Sequence, residues 1–285
     1  MFDIAALFLD AWRRFADDDG WAISSHIALA ALTSMFPFLI FLTALAGFFG
    51  SKELAAQATA ILLETWPRRV AEPLAQEIHA VLTQGRSGLL TFGIVLAVYF
   101  SSNAVEALRI GLNRAYDQID PRPWWLLRLE SIAYVLLGAA TMLALGLLLV
   151  LGPLLFATAL RYAPGLADLQ RTVTLARYGI VALLLWASLV VAHKYIAAGR
   201  RPLRAIAPGI ALTLVLSLVF AEGFGTYLAE FAGNYVSTYA GLASAMIALV
   251  FLYTLAAIFV YGAELNGAML SAREGRGGEK PTAYR

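Results

Sequence analysis

The chain contains no cysteine and only three histidines, His26, His79 and His193. The first absence removes disulfides, thiolate metal sites and thiol nucleophiles. The second leaves too few imidazoles for a histidine-built metal centre. No H-x-E, H-x-H-x-D or G-x-x-x-x-G-K-[ST] pattern occurs, so metal-dependent nuclease chemistry and nucleotide-driven pumping both lack their residues. Charge is scarce too: 14% of residues are Asp, Glu, Lys or Arg, against about 25% in soluble domains. The 21 basic and 19 acidic residues leave a net charge of +2, too balanced for a nucleic-acid-binding surface.

Apolar bulk fills the place of charge. Hydrophobic residues make up 60% of the 285 positions, with a mean hydropathy of +0.73. A bilayer core about 30 Å thick needs roughly 20 apolar residues at helical rise. Six runs meet or approach that length: Ile23 to Phe49, Leu89 to Leu108, Ile132 to Leu160, Tyr178 to Ile196, Ala205 to Ala232 and Leu242 to Leu270. They are continuous, whereas barrel strands alternate over about 10 residues. Helices also satisfy their backbone polar groups internally in hydrocarbon. The expected fold is therefore all-α: a polytopic bundle of six transmembrane helices.

Counting Lys and Arg between these runs puts 14 on the side of both termini and 7 on the other, so the positive-inside rule predicts cytoplasmic termini. Trp12, Trp21, Trp124 and Trp125 then fall at the inner interface and Tyr227, Tyr235 and Tyr239 at the outer one, as aromatic belts do. Residues 1–21 carry acids and aromatics without a basic n-region, apolar core and cleavage site, so no removable signal peptide is expected and span one serves as an uncleaved anchor. They read as a cytoplasmic amphipathic segment, and residues 271–285 as a polar cytoplasmic tail. Residues 51–88 are too polar to span. Leu74, Ile78, Val81 and Leu82 recur at helical spacing, and Pro67 divides them from Leu54, Ala58, Ile61 and Leu62, which predicts an external amphipathic helix pair.

Three stretches resemble the YihY/virulence factor BrkB family, once labelled ribonuclease BN. In SSHIALAALTSMFPFLIFLTALAGFFG a small-residue helix reaches a Ser-x-Phe-Pro element, Ser34 to Pro37. SSNAVEALRIGLNRAYD closes its Leu-Asn-Arg-Ala-Tyr with Asn113 to Tyr116. The third runs from Tyr239 and Gly241 to Gly-Ala-Glu-Leu-Asn at Gly262 to Asn266. The chain departs from the family at Ala240, which separates that Tyr and Gly, and at Leu252, where a Trp commonly precedes the Tyr. The resemblance covers about residues 20 to 270 and implies six spans with cytoplasmic termini in a bacterial inner membrane. It also implies an envelope-integrity role, with lipid or small-molecule movement proposed for some members.

Ionisable groups inside spans are expensive and so point to function. Ser102, Glu106, Arg109 and Asn113 are spaced along one helix face, where Glu106 and Arg109 can pair. Glu264 and Asn266, His26 with Ser24 and Ser25, and His193 with Lys194 occupy the same end of the predicted bundle. The groups either line a polar path or satisfy one another and fix helix packing. Glu222 lies beyond the midplane of span five, before Gly223 and Gly225, with Glu230, Asn234 and Tyr235 further out. It either borders a cavity or hydrogen-bonds a neighbouring helix at a close approach. Pro37 and Gly152-Pro153 break helical hydrogen bonds, as do both ordinary spans and transporter sites.

The reading that follows is one membrane domain over residues 1–285, not an enzyme, without cofactor or metal. The candidate path is lined by Ser34, Pro37, Ser102, Glu106, Arg109, Asn113, Glu222, Glu230, Glu264 and Asn266. Membrane lipids are its expected partners, with a lipid or small molecule as substrate and no nucleic acid. Ala28, Ala31 and Ser34 offer a small-residue face for packing within the bundle or in a homodimer. The alternative is a structural envelope protein that translocates nothing.

Overall fold

The computed structural model describes residues 4–49, 87–148, 169–239 and 243–273, with residues 152, 156, 160 and 165. Its regular elements are helices: α1 (Ile4–Asp17), α2 (Gly20–Phe49), α3 (Ser87–Ala115), α4 (Trp124–Gly146), α5 (Gln170–Val191), α6 (Leu203–Tyr239) and α7 (Ala243–Arg273). A wide turn of π-helix, Ala192–Ile196, extends α5. The amphipathic pair expected over 51–88, the Pro153 break and the tail beyond Arg273 lie outside the described residues, except that Ser87 and Gly88 already belong to α3.

Among the described residues five stretches are long and apolar enough to cross a membrane: Ile94–Ala115, Trp124–Gly146, Gln170–Ile196, Leu203–Glu230 and Ala245–Arg273. Four boundaries differ from the hydropathy reading by seven or eight residues: α5 begins at Gln170 rather than Tyr178, α6 runs to Tyr239 rather than Ala232, and in α3 and α4 the added turns hold partnered polar and charged groups. α3 continues seven residues past Leu108, because Glu106, Arg109, Asn113 and Arg114 all find partners at its end. α4 begins at Trp124 rather than Ile132, straight after the extended Pro123, because Arg128 and Glu130 in its first turns are also partnered. Charge excluded these turns from an apolar window without excluding them from the helices.

The core is assembled around α2, α3, α6 and α7. Ile23, Ile27, Leu112, Ile206, Ile210, Phe259 and Val260 are buried together. At the other level of the bundle Phe41, Ala97 and Ala139 form a smaller cluster. Ala28 and Ser34, from the small-residue face of α2, are buried within the chain, and Ser34 Oγ donates to the Phe100 carbonyl of α3 at 3.1 Å. That interhelical bond sits one turn before Pro37, where α2 lacks a backbone donor. α5 has no buried residue between Gln170 and Val191 and stands at the periphery.

α1 packs across the end of the bundle with Ala11, Phe15 and Asp18 inward and Leu9 and Trp12 outward. Its inward residues recur three and four apart, as one face of an amphipathic helix does. Trp21, Trp124 and Trp125 are exposed near the same end. An apolar, outward aromatic rim at one level is the pattern of a bilayer interface.

Candidate functional site

The charged residues gather at the end that carries α1, the turn between α3 and α4, and the turn between α5 and α6. Three networks occupy it. The first runs along α3 and α4: Arg109 donates to Glu106 at 2.7 Å and to Ser131 Oγ at 2.9 Å, and Arg128 reaches Asn103 at 2.9 Å with its guanidinium 3.8 Å over the Tyr99 ring. Arg122 clasps Asp120 through two nitrogens, at 2.8 and 2.6 Å, and gives a third bond to Glu130 at 2.6 Å. Those bonds stabilise the Asp120 carboxylate and hold its pKa below the usual range.

The second network ties α1 to α7. Arg14 donates to Asp117 at 2.7 Å, to Glu264 and Ser271 at 3.4 Å each, and to the Ala115 carbonyl at 3.3 Å. Asp117 closes α3 in the left-handed region at φ 51°, where glycine is usual. The bonds that define this cap are Gln118 N–H to Asn113 O at 2.8 Å and Asp117 N–H to Arg114 O at 3.1 Å. A non-glycine residue costs of order 1 kcal/mol at such a position, and the ion pair to Arg14 accounts for the carboxylate there.

The third network is a directed chain of hydrogen bonds. Gly209 N–H donates to Asn266 Oδ1 at 2.7 Å, which orients the amide so that Nδ2 donates to Tyr116 Oη at 3.1 Å. Tyr116 Oη lies 2.7 Å from His193 Nδ1, and since the hydroxyl already accepts from Asn266, that nitrogen is the acceptor left for its proton. Burial pushes the Tyr116 phenol pKa up, so it remains a donor. Arg201 stacks 3.8 Å over the same ring and donates to the Ala198 carbonyl at 2.5 Å. Asn113 links this network to the first, accepting from Ala198 N–H at 2.7 Å and donating to Asp120 at 3.4 Å.

The close approach of α6 and α7 makes the chain possible. A Cβ on Gly209 would overlap the Gly262 carbonyl oxygen, and one on Gly262 would overlap Thr213 Oγ1. The stretch Gly262 to Asn266 thus supplies a packing glycine, the acid for Arg14 and the amide for Tyr116 within five residues.

The candidate residues divide as follows. Glu106, Arg109, Asn113, Glu264 and Asn266 converge on this end, but Glu264 joins Arg14 while Glu106 and Arg109 face α4, so they form separate networks. Ser102 is buried with its hydroxyl returned to Tyr99 O at 2.6 Å. Ser34 and Pro37 lie further along α2 and do not join. His26 is exposed and stands apart from His193. Glu222 and Glu230 are exposed on α6, and added Cβ atoms at Gly223 and Gly225 would meet open space. From Ala205, Glu222 lies roughly 25 Å along and Glu230 roughly 37 Å at 1.5 Å per residue; the second exceeds the about 30 Å hydrocarbon core.

Arg14, Tyr116 and Arg201 entered the sequence reading only as charges or as part of a motif. The signal for Arg14 was its place on the inward face of α1, three residues after Ala11 and four before Asp18. Among the described residues no group of three or more His, Asp or Glu could hold a metal ion.

Several apolar helices long enough to span a bilayer, sealed at one end by ion-paired turns, define a multi-pass helical membrane protein. The sequence matches the family described as Virulence factor BrkB over residues 11–285, and the chain belongs to that family. It is 29% identical to the ribonuclease-like protein YfkH of Bacillus subtilis, across 95% of this chain and 98% of that one. It is 26% identical to a UPF0761 membrane protein of Rhodospirillum centenum, across 96% of this chain and 60% of that longer protein. No solved structure matches.

Proposed function

We propose that the chain is a non-ATP-dependent transporter or lipid-handling protein of the bacterial inner membrane that supports envelope integrity, with six spans and both termini in the cytoplasm. Glu222 carries the proposal. It is an exposed carboxylate within an apolar helix, beside two glycines that leave open space. A charge facing acyl chains costs several kcal/mol, so such residues characteristically border water or a polar occupant. The route would pass Glu222 in the outer half and be closed at the inner end by the paired networks of Arg14, Arg109 and Glu264. α2 is the sixth span in this reading, at 30 residues. The ribonuclease-like label of one relative finds no metal-ligand set among the described residues, and we read the chain as a non-enzyme.

The ion pairing of Glu106 with Arg109 and of Glu264 with Arg14 favours a second reading, in which the bundle is a structural or docking protein of the envelope. The two part in proteoliposomes containing fluorescent phospholipid analogues or encapsulated small-molecule reporters. The transport reading expects translocation by the wild type that falls about tenfold or more in Glu222→Gln, with the variant still folded. Wild-type rates equal to protein-free vesicles would leave the structural reading standing.

A further inference from the structure

The arginines of the paired networks each meet a carboxylate. Arg14 has Asp117 and Glu264, Arg109 has Glu106, Arg114 has Asp19, Arg122 has Asp120 and Glu130, and Arg128 has Glu106. Arg201 is the exception. It is 7% exposed, yet its contacts among the described residues are the Tyr116 ring and the Ala198 carbonyl, and its Nη1 has no hydrogen-bond partner. A guanidinium taken out of water without a counter-charge costs several kcal/mol. From Leu169 to Ala221 the sequence has no Asp or Glu at all, while Lys194, Arg200, Arg201 and Arg204 cluster at the turn between α5 and α6.

A second buried donor lies across the same tyrosine. Because Tyr116 gives its proton to Nδ1, the neutral His193 ring carries its own on Nε2. That nitrogen is fully buried and has no partner among the described residues. The chain from Gly209 through Asn266 and Tyr116 therefore fixes His193 as a donor, while the tyrosine ring face fixes Arg201 beside it. Two oriented N–H groups, one of them a cation with no carboxylate paired to it, are what an oxyanion requires.

We infer that Arg201 and His193 form a binding site for a phosphate group, reached through the α5–α6 turn, with Arg201 Nη1 and His193 Nε2 as its donors. The exposed Arg200 and Arg204 draw the anion in without contacting it. Phosphate is shared by two sources, the headgroup of an anionic phospholipid and a soluble phosphate, and the probes below distinguish them. The site stands independently of the Glu222 reading, since binding here requires no translocation.

The test uses the full chain purified in detergent, with thermal unfolding followed against inorganic phosphate and, separately, against short-chain phosphatidylglycerol; diacylglycerol of the same chain length controls for the acyl groups. Saturable stabilisation by phosphate alone identifies a soluble ligand, and stabilisation by phosphatidylglycerol but not by diacylglycerol or phosphate identifies a lipid headgroup. Arg201→Gln is expected to weaken the effective probe about tenfold or more and His193→Phe severalfold, whereas Arg200→Gln shifts it less than about twofold. If Arg201→Gln does not fold, His193→Phe against Arg200→Gln gives the same contrast. No saturable response of the wild type to either probe overturns the site outright. Equal losses in Arg200→Gln and His193→Phe also overturn it, by showing diffuse attraction to a basic surface.

Discussion

Asp117 holds a backbone conformation better suited to glycine, and its reward is the 2.7 Å contact with Arg14. Asp117→Gly relieves the backbone but strips Arg14 of its nearest acid, so it is expected to lower rather than raise the unfolding temperature in detergent. The buried Arg14 and Glu264 form a sharper pair. Removing one partner leaves the other charge buried, at about 3–5 kcal/mol. Arg14→Gln and Glu264→Gln should therefore each destabilise strongly, and the double variant should cost less than their sum, by about 0.5–3 kcal/mol; additive losses would argue against the pairing. Asp120 predicts a pH effect. Its folded pKa is depressed by Arg122, so the stability it contributes is fully present above the unfolded carboxylate value of roughly 3.9 and is lost as pH falls through the lower folded value. Unfolding temperature measured down to about pH 3 should decline less steeply in Asp120→Asn than in the wild type.

α6 and α7 meet at glycines, and that contact sets the register of the hydrogen-bond chain. Gly209→Ala or Gly262→Ala forces the backbones apart and is expected to cost about 1–3 kcal/mol as overpacking. It should also move the Tyr116 absorbance titration toward its ordinary range, because the separated helices admit water to the phenol. A stability loss with an unchanged titration would mean that Asn266 follows the displaced backbone. At this scale the sequence was informative about which runs are helical and less so about where they end. Hydropathy windows stop at charge, so Arg109 to Arg114 and Arg128 to Glu130 fell outside helices they belong to. What retains them in the helices is pairing between turns far apart in sequence, such as Arg109 with Ser131 and Ala198 with Asn113.

Across the whole molecule the two ends differ. One is sealed by α1 and three hydrogen-bonded networks; the part of α6 remote from it is largely exposed where described and carries Glu222. Composition made the membrane class legible, because 60% apolar residues leave no water-soluble arrangement, and intramembrane charge picked out Glu106, Arg109 and Glu264. Their partners were not legible. Arg14 is 250 residues from Glu264, and Tyr116 acquires meaning only when the fold brings it between His193 and Asn266.

The central claim is that Glu222 borders water rather than lipid, and the absence of native cysteine allows a direct measurement. Glu222→Cys in sealed proteoliposomes is to be labelled with a membrane-impermeant charged thiosulfonate and with a lipid-soluble maleimide, beside Leu183→Cys on the peripheral α5 as a lipid-facing reference. The account predicts that the charged reagent modifies position 222 from the outer side at a rate within about tenfold of an exposed loop thiol, and leaves position 183 nearly unreacted. Modification of 222 by the lipid-soluble reagent alone would contradict it.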